Sequence, residues 1–206
     1  MAPSPSPDAP LAEREGDLLL RIAEEAVVDG LLGSPPRGRA VSTMPPALRE
    51  PRGVFVTLSV NGRLNGCLGS MEGVEPLAHG TARHAWSAAF ADPRLPALHA
   101  ADYEALTIEV SVLSRLAPLP ARSRPELLAQ LRPDLDGVVV AAANRRALFL
   151  PAVWDQLPDP ADFLDHLQAK AGFPPPRWPE GMRAWRFSAQ RFTRRATEHP
   201  TLSGRV

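Results

Sequence analysis

Residues 54–70 read VFVTLSVNGRLNGCLGS and contain the clearest β-hairpin pattern in the chain. Apolar residues alternate with more polar ones over 54–60, which is the periodicity of a strand with one buried face. Asn61-Gly62 follows at once, and this dipeptide is typical of a tight hairpin turn. The second arm then carries Cys67, the single cysteine of the chain. Because glycines flank Cys67, we expect it in a glycine-rich hairpin loop where the backbone is accessible.

The rest of the chain mixes helical and strand patterns without a regular strand-helix alternation. Helical spacing predicts an amphipathic helix over 11–32, and proline and aspartate start signals predict further helices. These further helices begin near Pro76 and near Pro160. Alternation predicts a strand at 106–112, a second hairpin over 137–153 and a last strand around 185–189. The expected fold is α+β, with a largely antiparallel sheet and flanking helices.

Composition limits the classes of function. The 206 residues carry 23 acidic and 23 basic side chains, so there is no global field to attract nucleic acid or an anionic membrane. One cysteine excludes an internal disulfide and favours a cytoplasmic location. No stretch approaches the ~20 apolar residues of a membrane span. We expect a disordered tail at 1–10, one folded domain at 11–195 and a C-terminal tail at 196–206.

Several motifs in a fixed order carry a family resemblance. They are VFVTLSVNGRLNGCLGS, HAWSAAFADPRLPAL, LTIEVSVLS, ALFLPAV, and KAGF with a downstream tryptophan. Together, over about residues 11–192, they resemble the AMMECR domain family, whose bacterial members are labelled AmmeMemoRadiSam system protein A. The resemblance implies one domain with a large and a small lobe and an activity that is not established. It also implies association with a Memo-like protein and a radical SAM protein.

The hallmark hexapeptide of that family, leucine-arginine-glycine-cysteine-isoleucine-glycine, corresponds to residues 64–69 here. Asn65 replaces the hallmark arginine, which removes a cation that could hold a carboxylate or phosphate. Arg63 lies two residues earlier, on the same face of a regular strand, so we expect it to be able to take over that charge.

Cys67 is the candidate catalytic residue, as a nucleophile, a metal ligand or a hydrogen-atom donor, and the alternative is a small buried side chain. His84, on the following helix, is the candidate that activates it. No metal-ligand spacing is present, and the sequence predicts neither a metal nor another cofactor. The remaining candidates are binding residues: Arg63, Asn65, Gly66, Gly69, Asp92, Arg94 and Lys170.

Two functions therefore stay open for a component of a Memo- and radical SAM-associated modification system. One is an enzyme that uses Cys67 on an unidentified substrate. The other is a non-catalytic module that binds a partner or a substrate. A third reading, single-stranded nucleic acid on the C-terminal arginines, is disfavoured because the net charge is zero. The sequence does not determine the oligomeric state.

Overall fold

The structure is a computed structural model that describes residues 9–37 and 40–196. The described residues divide into two compact units, the first formed by those up to 113 and from 190 onwards, and the second by 114–189. The tails predicted at 1–10 and 196–206 lie largely outside the described residues. Ala196, at the start of the second predicted tail, is buried and donates its N–H to the carbonyl of Leu106.

The described residues form five α-helices and eight β-strands, with short 3₁₀ turns between some of them. The helices are α1 Glu13–Leu31, α2 Pro46–Arg49, α3 Leu77–Phe90, α4 Arg124–Leu128 and α5 Pro160–Lys170. The strands are β1 Val54–Val60, β2 Arg63–Ser70, β3 Leu106–Leu113, β4 Ala117–Leu119, β5 Gly137–Ala142, β6 Arg145–Phe149, β7 Arg183–Phe187 and β8 Ala189–Arg195.

The first unit is a four-stranded sheet in the order β2-β1-β3-β8, with β1 antiparallel to both of its neighbours. Val56, Leu58, Ile108 and Val110 point to one face of this sheet and are fully buried. Helices α1 and α3 pack on that face, because this contact also removes the apolar stripes of the two helices from water. We call it the helix face. The opposite face carries the alternate residues of each strand.

The second unit has its own four-stranded sheet, in the order β4-β7-β5-β6, and all three pairings are antiparallel. Its separate core is built around Trp154, whose ring stacks on Phe163 at 3.7 Å between centroids. The indole N–H of Trp154 donates to the carbonyl of Asp136, so this buried polar atom is satisfied.

The α+β fold with antiparallel sheets is confirmed. Both predicted hairpins form, and Asn61-Gly62 adopts the left-handed backbone of a tight turn, with φ of 51° and 76°. Three local details differ. The strands belong to two sheets instead of one, the glycine-rich segment around Cys67 is strand β2 instead of a loop, and the predicted last strand is the pair β7 and β8.

Within residues 9–37 and 40–196, no helix has both the length and the apolar character that crossing a bilayer demands.

Candidate functional site

A β-bulge interrupts strand β2 just before Cys67. From Val54 to Leu58 the partners on β2 run from Ser70 to Gly66, but Ser59 pairs with Leu64. Asn65 is therefore the extra residue of the bulge, and such bulges redirect the side chains beside them. Val60 pairs with Arg63, so Arg63 belongs to the helix face and not to the face of Cys67. The alternation that was expected to relate Arg63 to Asn65 is broken here.

The Cys67 thiol lies on the sheet face opposite the helices. Its cross-strand partner is Thr57, whose Oγ1 donates a hydrogen bond to Sγ at 3.3 Å. On the other side of Thr57, Glu109 of β3 is the next residue in the same row. We call Cys67, Thr57 and Glu109 the polar row. Cys67 is a free thiol and is half-buried, so the row is partly accessible.

Asp92 and Arg94 hold the backbone of Cys67. The Cys67 N–H donates to Asp92 Oδ2 at 3.0 Å, and Arg94 Nη2 donates to the Cys67 carbonyl at 2.8 Å. Arg94 also binds Asp92 with two donors, Nε to Oδ1 at 2.9 Å and Nη2 to Oδ2 at 2.7 Å. We call this arrangement the Asp92–Arg94 clamp. It occupies the free edge of β2, where another strand would otherwise pair.

The clamp is ionic at any ordinary pH. The Asp92 side chain is only 2% exposed. The hydrogen bonds from Arg94, together with that of the Cys67 N–H, outweigh burial and hold the pKa of Asp92 well below its usual range. The structure thus brings Cys67, Asp92 and Arg94 together, but through the main chain of Cys67 and not through its thiol.

His84 lies on the other side of the sheet from that thiol. It is buried on α3, with Nε2 at 3.2 Å from Arg83 Nη2 and 3.3 Å from Ser70 Oγ. Because a guanidinium can only donate, Nε2 accepts and the ring proton sits on Nδ1. Ser70 pairs with Val54 on the helix face, three residues along from Cys67. His84 and the Cys67 thiol are therefore not brought together.

Burial and the charge of Arg83 lower the pKa of His84 to about 4, although Glu75 acts weakly in the opposite direction. His84 is consequently neutral at pH 7. No histidine among the described residues has a hydrogen bond to Cys67 in this structure. The sequence placed His84 on the helix that follows β2, but it could not show which face of the sheet that helix covers.

The two hallmark glycines are needed for packing. A Cβ on Gly66 would lie 1.9 Å from the backbone carbonyl oxygen of Ala88 on α3, and a Cβ on Gly69 would lie 2.4 Å from the Phe55 ring. Real Cβ atoms do not approach other atoms so closely, so α3 can cross β2 only because position 66 has no side chain. Their presence needs no bound ligand to explain it.

Lys170 belongs to the second unit. Its ammonium donates to the carbonyl of Leu148 at 3.1 Å and lies 5.1 Å above the ring of Phe149. Both partners belong to strand β6 and not to the last turn of its own helix. Two of the C-terminal arginines have ionic partners, since Arg186 pairs with Asp136 and Arg194 with Asp17.

Sequence reasoning missed Thr57, Glu109 and Asp102. Thr57 and Glu109 occupy polar positions of two predicted strands, and this polarity was the only sign of them in the sequence. The strand register is needed to show that they are neighbours. Asp102 joins Arg63 and Asn65 in a pocket at the hairpin end. In the described part of the chain, no three histidine, cysteine, aspartate or glutamate side chains are grouped as ligands for one metal ion.

Comparison with known proteins shows to which family this chain is similar. The AMMECR1 family model matches residues 20–192. A protein of Methanothermobacter thermautotrophicus is 38% identical over 191 residues, which cover 89% of this chain and 96% of that relative. A protein of Thermofilum pendens is 37% identical over 198 residues, covering 88% of this chain and 91% of its own length.

The fold is also shared with a solved structure, that of the uncharacterized protein PH0010 from Pyrococcus horikoshii. The two superpose with a TM-score of 0.83 and are 29% identical in sequence, over 90% of this chain and 94% of that one. These relatives come from archaea, and nothing in the comparisons shows a bacterial origin for this chain. The match along most of the chain in both sequence and fold shows that the protein belongs to the AMMECR1 family.

Proposed function

We propose that this protein is a non-catalytic binding module in a modification system that includes a Memo-like protein and a radical SAM protein. In this proposal residues 11–195 act as one domain in the cytoplasm, and the polar row of the first sheet contacts the partner. The association with those two proteins rests on the family resemblance. The choice of a binding role rests on the structure around Cys67.

The observation that supports a binding role is the way in which Cys67 is held in place. Its N–H, its carbonyl and its thiol each have a hydrogen-bond partner, respectively Asp92, Arg94 and Thr57. A side chain fixed in this way on a partly accessible sheet face suits recognition, because little conformational entropy remains to be lost on binding. The neutral His84, the expected base, faces the other side of the sheet.

The test is binding to the purified Memo-like and radical SAM proteins of the same genome, measured by biolayer interferometry. A binding role predicts that Cys67→Ser keeps the affinity within about twofold, because the side chain keeps nearly its size and can still accept the hydrogen bond from Thr57. Thr57→Arg, which places a large cation in the middle of the polar row, should weaken binding by at least about tenfold. Ala97→Arg, at an exposed position of the same unit, is the matched control.

The outcomes separate the possibilities. If the wild-type protein binds neither partner at micromolar concentration, the binding role is refuted. If Cys67→Ser abolishes a modification reaction of the assembled system while binding is unchanged, the module is an enzyme component that uses the thiol.

That second function is favoured by one specific contact, the hydrogen bond that Thr57 donates to Sγ. Together with the partial accessibility of Cys67, it leaves a thiol that a substrate could reach. The direct check is the rate of iodoacetamide alkylation, compared at one pH for the native and the urea-unfolded protein. A native rate above the unfolded rate would support catalysis, and a native rate far below it would support the binding role.

A further inference from the structure

The end of the first hairpin forms a pocket of about 470 Å³, lined by Val60, Asn61, Arg63, Leu64, Asn65 and Asp102. Its two walls are tied together by the main chain, because the N–H of Asn61 donates to the carbonyl of Ala105 at 3.2 Å. This bond sets the hairpin turn beside the 3₁₀ helix Ala100–Ala105, which carries Asp102. The volume lies within the range of small-molecule sites.

Two opposite charges share this pocket without neutralising each other. In the described part of the chain, neither Arg63 nor Asp102 forms an ion pair or a side-chain hydrogen bond, with the other or with any third residue. Elsewhere the protein pairs such groups closely, as Asp29 with Arg37 and Asp136 with Arg132, each at 2.6 Å. An unpaired guanidinium and an unpaired carboxylate are therefore left to face a ligand.

Asn65 adds a third polar group without a partner. Its Oδ1 is buried and accepts no hydrogen bond, which is uncommon for a buried polar atom. The bulge at Asn65 is what directs this residue to the hairpin end.

The pocket also has an apolar contact. Leu64 is 50% exposed, and among the described residues it is one of three large apolar side chains with so much exposed surface, the others being Val74 and Leu135. The pocket thus offers a forked donor on Arg63, a carboxylate on Asp102, an amide on Asn65 and an aliphatic surface on Leu64.

We propose that this pocket binds a small zwitterion with the chemistry of a free α-amino acid that has an apolar side chain. The ligand carboxylate lies on the Arg63 guanidinium, whose fork matches it, and the ammonium lies on the Asp102 carboxylate. The aliphatic side chain packs on Leu64. This inference is independent of the proposed function, since it involves neither the Cys67 thiol nor another protein.

The experiment is an NMR titration of the full-length ¹⁵N-labelled protein with L-leucine, N-acetyl-leucine and leucinamide as probes. L-leucine is expected to shift the amide signals of residues 61–65 and 102. Each blocked analogue lacks one charge and should bind about tenfold more weakly, because one charge-assisted hydrogen bond is lost. Equal affinity for all three probes, or no shift at these amides up to the solubility limit of leucine, overturns the proposal.

Variants make the assignment specific. Arg63→Gln and Asp102→Asn should each weaken L-leucine binding by about tenfold. Glu104→Gln, an exposed neighbour on the same 3₁₀ helix, and Arg14→Gln, an exposed arginine on α1, are the matched controls and should leave it unchanged. Thermal midpoints of all four variants check that the fold is intact. Unchanged affinity in the two pocket variants contradicts the site.

Discussion

The two faces of strand β2 differ in what holds their residues in place. On the helix face, Gly66 lies against the backbone of Ala88, and Ser70 meets the buried His84. On the other face, Cys67 lies beside Thr57, which in turn lies beside Glu109. Packing therefore accounts for the first face, whereas no core contact requires a cysteine on the second.

The two faces of this eight-residue strand therefore have different roles. Gly66 and His84 belong to the packing of α3 on the sheet, whereas Gly69 packs against Phe55 on the other face. Core packing does not explain why the residues of the polar row, Cys67 among them, are present. Substitutions on each face test this division, because their effects on folding should differ widely.

The largest effect is expected for Gly66→Ala. A Cβ at this position would lie 1.9 Å from a backbone oxygen of α3, which cannot move without shifting the helix. We expect a loss of about 4 kcal/mol in the free energy of unfolding, measured by urea denaturation. Cys67→Ala on the opposite face is the control and should cost less than about 1 kcal/mol. Similar losses for both would remove the distinction between the faces.

The next effect concerns the edge of the same strand. Arg94→Ala removes the cation from the Asp92 carboxylate, whose side chain is 2% exposed. An uncompensated buried charge is destabilising, and we expect a loss of about 3 kcal/mol. The measurement is again urea denaturation, with Arg191→Ala, an exposed arginine on β8, as the control. A loss no greater than that of the control would mean that the clamp does not stabilise β2.

The smallest effect is the pH dependence that His84 confers on the helix face. Its pKa is about 4 in the folded protein, whereas the ordinary value, which applies to the unfolded chain, is 6.5. Between these values the unfolded chain binds more protons than the native one, so stability falls as the pH drops from 6.5 towards 4. We expect this histidine to account for about 2 kcal/mol of that fall.

The check compares urea denaturation at pH 7 and pH 4 for the wild type and His84→Gln. The variant should lose less stability over this interval, whereas His99→Gln, an exposed histidine of the same unit, should behave as the wild type. An identical fall in wild type and His84→Gln would show that His84 is protonated equally easily in both states, contrary to its burial.

Local patterns sufficed for much of the fold. Alternation at 54–60 and the Asn61-Gly62 turn predicted the first hairpin, and the proline and aspartate at 159–160 predicted the start of α5. These features depend on neighbouring residues, which a sequence displays directly. The separation into two sheets was not predictable in this way, because β1 pairs with β3 across about fifty residues of chain.

The candidate site was less predictable for a related reason. The bulge at Asn65 changes the face of every residue before it on β2, and RLNGCLGS has too few apolar residues for alternation to reveal it. The sequence placed His84 on the next helix but did not show that the thiol lies on the opposite face of the sheet. The clamp was foreseeable only in part, since the sequence placed Asp92 and Arg94 at a helix end and the fold brought them to Cys67.

The clamp has a consequence for the protein in a crowded solution. β2 is the outermost strand of its sheet, and such a strand can recruit a strand from another molecule. At Cys67 both hydrogen-bonding groups of that edge are already occupied, by a carboxylate and a guanidinium from the same chain. A neighbouring molecule would have to break an ion pair before adding its own strand there. Asp92 and Arg94 therefore also disfavour strand pairing between two molecules at this edge of the sheet.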